Sequence, residues 1–328
     1  DPMLIRWSDQ ESAVDWTPSA TNQAGSLRLS RGSEIIAASQ SRQGVMVWTD
    51  TAVYTLQFLG GQSGWGAQLA GSNTSIASSN ATAYANGVSY WMGRDKFYLH
   101  TGNVQVLKCD LLRYVFNDIN WGQSDQIFAG TTEEYNEVWW FYCSEDSVTV
   151  DRYVVYNYQD RIWYNGTLAR TAWLDRGMRD FPLAATYTYN LVNHEQGVDD
   201  NETDTPTAIN ASITSGQFDT GDGHKFTLIS RVIPDITFDG STVDSPSAII
   251  TLYPMQNSGS GYNDPLSEGG NSAGTITRSA TVPVEQYTDQ IDVRVRGRQI
   301  AFKIESTDLG VQWQLGSPRL DMRVDGRR

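Results

Sequence analysis

The run Gly44-Val45-Met46-Val47-Trp48-Thr49-Asp50 has the composition of a β-strand that carries one tryptophan and ends in a polar turn. Four similar runs, each with an aromatic residue near its end, occur elsewhere in the chain. They contain Trp7 (residues 4–7), Trp91 (87–93), Trp140 (137–142) and Tyr189 (185–189). The steps between successive aromatic positions are 41, 43, 49 and 49 residues. A period in this range is typical of one four-stranded propeller blade. The sequence therefore predicts an all-β chain that begins with about five propeller-like blades.

Three hairpins follow from the same pattern. Residues 44–58 predict two strands around a turn at 49–51, and residues 87–99 predict two more around a turn at 93–95. Residues 153–164 predict a third pair with its turn at Gln159-Asp160. Residues 110–120 are a helix candidate, 124–130 a turn, and 71–86 a long loop between blades.

The polar, acidic segment Gly197–Thr205 predicts a domain boundary, which gives a propeller-like domain at 1–200 and a second domain at 206–328. After this segment the aromatic repeat stops and short strands joined by Gly, Asp and Ser turns follow. The predicted strands are 216–219, 225–229, 232–238, 248–253, 274–282, 291–295 and 299–305. This pattern favours a β-sandwich or jelly roll. Residues 257–274, rich in Gly, Ser and Asn, predict a mobile loop.

Composition limits the classes of function. The chain has 328 residues, 39% of them hydrophobic, and a formal net charge of -14. A tight clamp on a nucleic-acid backbone relies on Lys and Arg, so this charge argues against one. A tube lined with carboxylates would instead repel a passing polyanion. Acidic charge that only maintains solubility is the alternative. No segment approaches the roughly 18 apolar residues that a membrane helix needs.

The sequence contains only weak candidates for catalytic residues. No phosphate-binding glycine loop ending in Gly-Lys and no His-Glu-x-x-His motif occurs. Asp50 and Asp95 are a nominal glycosidase pair, but both sit at predicted turns, where aspartate is favoured for local hydrogen bonds. Asp219–Gly223 faintly resembles a calcium loop, and a turn is the favoured interpretation.

The remaining candidates also favour a structural interpretation. Cys109 and Cys143 lie beside strand-like apolar residues and are expected to be small buried hydrophobes. Asp199, Asp200, Glu202 and Asp204 fit a solvated loop as well as a channel lining, and Arg319–Arg328 fits a clamp on an acidic neighbour as well as an exposed tail. The sequence thus nominates no catalytic, cofactor-binding or metal-binding residue, and predicts that the protein is not an enzyme.

Several motifs resemble a family of bacteriophage proteins. They are Ile5–Gln10, Asp15–Pro18, Asn22–Gly25, Ser39–Gly44, Val47–Asp50, Tyr90–Asp95, Arg296–Gln299, Leu315–Asp321 and Asp325–Arg328. Together they are similar to the tail nozzle, or tail tubular protein B, family of short-tailed phages. The resemblance touches both halves of the chain. Members of this family are often much longer than 328 residues, so the blade number and the presence of residues before Asp1 stay open.

The resemblance implies a structural, non-enzymatic role in the virion tail. It implies a homo-hexameric ring that docks on the tail adaptor protein, seats tail fibres or a needle, and conducts DNA during ejection. It implies no catalytic residues, and the sequence itself predicts no cofactor and no membrane-spanning segment. Two alternatives stay open: a carbohydrate- or receptor-binding tail component that uses exposed Trp and Tyr faces, and, less favoured, a propeller glycosidase.

Overall fold

The computed structural model describes residues 1–42, 44–61, 64–221, 223–255 and 279–326. Strands dominate, and the described residues contain a single α-helix, so the predicted all-β class is confirmed. The chain divides into two compact units, Asp1–Gln196 and Gly197–Arg328. The division lies at the start of the polar segment 197–205 from which the sequence predicted a boundary.

Unit 1 consists of consecutive antiparallel sheets. A two-stranded sheet pairs β1 (Leu4–Trp7) with β2 (Gly25–Arg28). Three four-stranded sheets follow, each with its strands in chain order, and then a three-stranded sheet. Their strands are β3 (Ile35–Ser41), β4 (Gly44–Thr49), β5 (Ala52–Phe58) and β6 (Trp65–Ser72); β7 (Thr82–Ala85), β8 (Val88–Met92), β9 (Phe97–His100) and β10 (Val104–Leu107); β11 (Phe128–Thr132), β12 (Glu137–Tyr142), β13 (Arg152–Asn157) and β14 (Ile162–Thr167); and β15 (Ala172–Leu174), β16 (Leu183–Ala185) and β17 (Leu191–Asn193).

The sheets of unit 1 are joined through their first strands. β3 contacts β7, β7 contacts β11, and β11 contacts β15. Asn80 and Phe128 form a parallel bridge at the junction of the second and third sheets. Four-stranded meanders that meet at their first strands have the local form of propeller blades.

The tryptophan repeat holds for three sheets. Trp48, Trp91 and Trp140 lie on β4, β8 and β12, the second strand in each case, and all three are fully buried. Each pairs across the sheet with a small residue of the first strand: Ala37, Thr82 and Ala129. A bulky indole beside a short side chain lets neighbouring sheets pack closely.

The repeat does not hold at its two ends. Tyr189 lies in the turn between β16 and β17 with a φ of 64° and is 99% exposed, so its assignment as an anchor is wrong. The second strand of that sheet is centred on the small buried residue Ala184. Trp7 is half-buried on β1 and lies in a two-stranded sheet.

β12 shows why unit 1 needs so many aromatic residues. All six of its side chains are buried, because the strand is central in its sheet and both faces are covered. Val138, Trp140 and Tyr142 enter one core, and Trp139 and Phe141 enter a second core on the opposite face. A continuous apolar run of this length is typical of such a strand.

The connections differ in detail from those predicted. The predicted hairpin turns at 49–51, 93–95 and 159–160 all occur between paired strands. The predicted helix is α1 (Leu112–Asp118), and a 3₁₀ turn follows at Trp121–Gln126. Residues 128–130, predicted as part of a turn, belong to β11, because they pair with β12. The predicted loop 71–86 is shorter, since β6 ends at Ser72 and β7 begins at Thr82. The predicted loop 257–274 lies outside the described residues.

Unit 2 contains eleven strands in its described residues. They are β18 (Asp199–Asp200), β19 (Thr207–Ala208), β20 (Ala211–Thr214), β21 (Thr227–Ile233), β22 (Ile236–Thr237), β23 (Ser247–Met255), β24 (Ala280–Glu285), β25 (Ile291–Gly297), β26 (Gln299–Ser306), β27 (Gln314–Leu315) and β28 (Arg319–Val324). Two large antiparallel sheets have the orders β20-β26-β23-β24 and β25-β21-β28.

One core joins these two sheets. Ile250 and Ile304 come from the four-stranded sheet, while Ile229 and Val295 come from the three-stranded sheet. Two antiparallel sheets that share a core in this way form a β-sandwich, one of the two forms that the sequence favoured for this part of the chain.

Candidate functional site

Indole hydrogen bonds connect neighbouring sheets in unit 1. Trp140 Nε1 donates to the Ala81 carbonyl oxygen over 3.1 Å, and Trp163 Nε1 donates to that of Lys108 over 2.9 Å. Ala81 directly precedes β7 and Lys108 directly follows β10, so both bonds run from the third sheet to the ends of the second sheet's outer strands. Trp173 Nε1 donates to the Thr131 carbonyl oxygen over 2.9 Å and connects the fourth sheet to the third. Each indole therefore fills a core and fixes the position of the preceding sheet.

Trp48, the first of the three equivalent tryptophans, lacks the indole hydrogen bond that Trp91 and Trp140 make among the described residues. Trp91 Nε1 donates to the Ser75 carbonyl oxygen over 3.2 Å, in the connection between the first two sheets. The buried Trp48 Nε1 has no hydrogen-bond acceptor among the described residues. The Trp48 ring instead packs edge-to-face on the Trp91 ring, with an angle of 70° between the ring planes and 5.5 Å between the ring centroids.

Backbone bonds reinforce the junction of the second and third sheets. The Ala129 amide donates to the Asn80 carbonyl oxygen over 2.8 Å, and Ser78 Oγ donates to the Ile127 carbonyl oxygen over 2.5 Å. These four polar groups therefore have partners, as buried polar groups require. These contacts hold the two sheets in a fixed relation.

A buried carboxyl lies on the other face of the third sheet. Glu137 begins β12, and Tyr164 of β14 donates its hydroxyl to Glu137 Oε1. Trp139 Nε1 donates to Glu137 Oε2 over 3.0 Å. Both carboxyl oxygens therefore have donors supplied by the same sheet.

Burial dominates the electrostatics around this carboxyl. Loss of water raises the pKa of Glu137, and the bonds from Tyr164 and Trp139 oppose that shift. The pKa of Glu195, an exposed residue, is raised as well: partial loss of water at its carboxyl comes first, and the negative charges of Glu137 and Glu134 raise the pKa further. Burial also raises the pKa of Tyr153, and the negative charges of Glu195 and Glu137 raise it further. Glu137 and Glu195 are thus two neighbouring carboxyls whose pKa values are both raised.

Sequence reasoning did not single out Glu137 or Glu195. The usable signal is a charged residue at the head of the apolar run Val138–Tyr142, since a carboxylate is rarely buried without partners. Chemically, the site can hold or release a proton. Glu137 is nevertheless closed off, because it is buried and both oxygens are occupied.

The nominal pair Asp50 and Asp95 has local partners. Asp50 accepts bonds from the Ser33 amide over 2.8 Å and from Ser33 Oγ over 2.6 Å, and these bonds lower its pKa. Asp95 forms an ion pair with the adjacent Lys96 at 3.2 Å. Both residues lie in turns between the second and third strands of their sheets, which favours the turn interpretation over a glycosidase pair.

The cysteines behave as the sequence predicts. Cys143 is buried in a core, and Cys109 is half-buried against another. Burial raises the pKa of Cys109 to about 12 and that of Cys143 to about 11, so both thiols stay protonated and are poor nucleophiles at neutral pH.

The histidines of unit 1 lie in packed surroundings. Burial lowers the pKa of His100, which therefore stays neutral. His194 packs on Trp173 with 4.7 Å between ring centroids, and its Nε2 accepts a bond from Arg170 Nε over 2.9 Å. Accepting that bond requires the neutral ring with its proton on Nδ1.

Two acidic segments of unit 2 are used for local structure. Asp219 Oδ2 accepts a bond from Gln299 Nε2 over 3.3 Å, while Asp222 lies outside the described residues. Asp199 Oδ1 accepts the Gly310 amide over 2.7 Å, and β18 pairs with β19, so the predicted acidic loop contains a short hairpin. Among the described residues, no three His, Cys, Asp or Glu side chains are placed to hold a metal ion.

Comparison with known proteins adds no family assignment. No protein-family model matches the chain, and no curated protein matches it. In the described part of the chain, every helix is too short or too polar to cross a membrane.

Proposed function

We propose that this chain is a structural subunit of the tail nozzle of a short-tailed bacteriophage. Its copies would form a ring that docks on the tail adaptor protein, holds fibres or a needle, and passes DNA during ejection. The sequence motifs around Trp7, Trp48 and Trp91, which resemble those of the tail nozzle family, support this assignment. Hydrogen bonds between the sheets of unit 1 support the role as a scaffold.

The observation that carries the scaffold role is the set of indole bonds between sheets. Trp140, Trp163 and Trp173 each place a buried or half-buried ring in one sheet and donate to the backbone of the preceding sheet. Such bonds resist sliding of one sheet over the next, because each shift would leave an indole N–H without its acceptor. A wall that must withstand a moving polymer benefits from this rigidity.

Charge supports the same proposal. A chain of net charge -14 has few sites that would retain a phosphate backbone, so DNA could pass without being held.

A second candidate is a glycoside hydrolase, favoured by the neighbouring carboxyls Glu137 and Glu195 with raised pKa values. A hydrolase needs one carboxyl that reaches the glycosidic oxygen and another on the opposite side. Glu137 does not meet this need in the described geometry, because its oxygens are bound to Tyr164 and Trp139. The scaffold role is therefore the better-supported proposal.

Electron microscopy of the purified full chain, alone and bound to isolated phage tails, tests the nozzle proposal. We expect a closed ring, six-fold by the family resemblance, at the distal end of the tail. A chain that stays monomeric and does not bind tails contradicts it. Hydrolysis of host surface polysaccharide that disappears in Glu195→Gln would favour the second candidate.

A further inference from the structure

The three-stranded sheet of unit 2 has one face on the core and one face turned away from it. Ile229, Val232 and Val295 point into the core. On the opposite face, Leu228 pairs with Arg296 of β25 and with Arg323 of β28, while Arg231 pairs with Asp292 and Asp321. Because side chains alternate along a strand, this face also carries Arg294 and Arg319. We call Arg231, Arg294, Arg296, Arg319 and Arg323 the arginine face.

The arginine face has the opposite charge to the rest of the protein. Its five arginines are accompanied by three aspartates: Asp292, Asp321 and Asp325. The net charge of the face is therefore +2, whereas that of the whole chain is -14, so the remainder carries -16. A local positive surface on so acidic a chain is a distinct electrostatic feature.

Three of these arginines are available to a partner. Arg231 pairs with Asp321 at 3.9 Å, and Arg296 pairs with Asp325 at 2.6 Å. Arg294, Arg319 and Arg323 are exposed, and no carboxylate of the described residues lies within ion-pair distance of them.

One arginine of the face is held in place by an aromatic ring, and two others lie on an edge strand. The Arg296 guanidinium lies 4.1 Å from the centre of the Phe226 ring, which holds it in place. β28 is an edge strand, so Arg319 and Arg323 lie at the border of the described sheet. Arginine is enriched at protein interfaces.

We propose that the arginine face binds a second copy of this chain, whose acidic surface supplies the carboxylates. The guanidinium fork matches a carboxylate with two parallel hydrogen bonds. The face of one copy would meet a different surface of the next, the arrangement that generates rings. This inference deepens the proposed function, since it names the surface through which the subunits assemble.

DNA is the less favoured occupant. Asp292, Asp321 and Asp325 are interspersed among the arginines and would repel phosphates. The field of a chain with charge -14 also opposes the approach of a polyanion.

The test compares two triple variants of the full chain. Arg294→Glu/Arg319→Glu/Arg323→Glu reverses the three available arginines. Arg42→Glu/Arg94→Glu/Arg179→Glu makes the same change in charge at three exposed arginines of unit 1. Sedimentation velocity and native mass spectrometry at low and high salt measure self-association, and thermal unfolding checks that each variant folds.

We expect the wild type and the unit 1 variant to associate, more weakly as salt screens the charges. The arginine-face variant should associate at least about tenfold more weakly, which corresponds to roughly 1.4 kcal/mol. Equal association of all three folded proteins overturns the inference. A monomeric wild type overturns it too, and binding of a labelled DNA duplex in fluorescence anisotropy, lost in the arginine-face variant, would then identify DNA as the occupant.

Electron microscopy of the same samples separates this inference from the nozzle proposal. Rings that persist in the arginine-face variant refute the inference and leave the nozzle proposal standing. Association that is lost in this variant, but forms no ring and binds no tail in the wild type, supports the inference and refutes the nozzle proposal.

Discussion

Single tryptophans hold the sheets of unit 1 together in two ways, by filling space and by donating one hydrogen bond. Trp48 and Trp140 separate these effects, because they occupy equivalent positions and are 1% and 0% exposed. Only Trp140 has an acceptor among the described residues, the Ala81 carbonyl group. The pair therefore allows the hydrogen bond to be measured against a matched loss of volume.

We predict that Trp140→Phe lowers the free energy of unfolding by about 1 kcal/mol more than Trp48→Phe does. Both changes remove ring volume, but only Trp140→Phe also removes a hydrogen bond to a buried carbonyl group, that of Ala81, which then keeps only the bond from the Met92 amide. Urea denaturation of the two variants and the wild type measures the difference. An equal loss in the two variants would show that the indole bond contributes nothing net.

Glu137 makes the stability of the folded protein depend on pH. Its pKa is raised in the folded protein, so the folded state binds the proton more tightly than the unfolded state does. This contribution to stability is complete below the ordinary pKa of 4.5 and is lost as pH rises through the raised value.

We predict that Glu137→Gln removes this part of the pH dependence, since glutamine does not titrate. The stability of the wild type relative to the variant should fall as pH rises from about 4 to about 7. Melting temperatures over that range measure it, and Glu145→Gln, at an exposed carboxyl, is the control. A Glu137→Gln profile parallel to that of the wild type would exclude a raised pKa.

At the scale of elements, the pairing of β4 with β5 depends on a close approach of their backbones at Gly44. Gly44 begins β4 with a φ of 137°, and a Cβ atom there would clash with the Leu56 carbonyl oxygen of β5. Gly87, at the turn before β8, has a φ of 80° but open space around it. The two glycines therefore share an unusual backbone conformation and differ in crowding.

We predict that Gly44→Ala destabilises the protein by at least about 1 kcal/mol more than Gly87→Ala. Both substitutions force an L-residue into a region that costs about 1–2 kcal/mol. Only the first also pushes β4 away from β5. Chemical denaturation measures both variants. A larger effect at Gly87 would contradict this pairing of β4 and β5.

At the scale of the whole molecule, the two units have separate cores. The core of unit 2 is built from residues between Phe218 and Leu320, and the cores of unit 1 are built from residues before Ala169 and from Trp173. A unit with its own core can fold alone.

We predict that residues 197–328, expressed alone, give a β-type circular dichroism spectrum and a single cooperative thermal transition. A shorter piece, 197–318, lacks β28 and exposes the edge of β21, so its melting temperature should be lower. A non-cooperative transition in residues 197–328 would show that unit 2 depends on unit 1.

The sequence by itself determined the all-β class, the hairpin turns and the strands that carry Trp48, Trp91 and Trp140, because alternation, turn chemistry and period are local signals. It could not place Tyr189 or find Glu137 and its neighbour Glu195. Whether an aromatic residue anchors a sheet or tops a turn depends on strand pairing, and proximity of residues 58 positions apart depends on how sheets pack. The sequence singled out residues 319–328 as a clamp or an exposed tail, but only strand register makes Arg319–Val324 a strand and brings Arg231, Arg294 and Arg296 to the same side of one sheet.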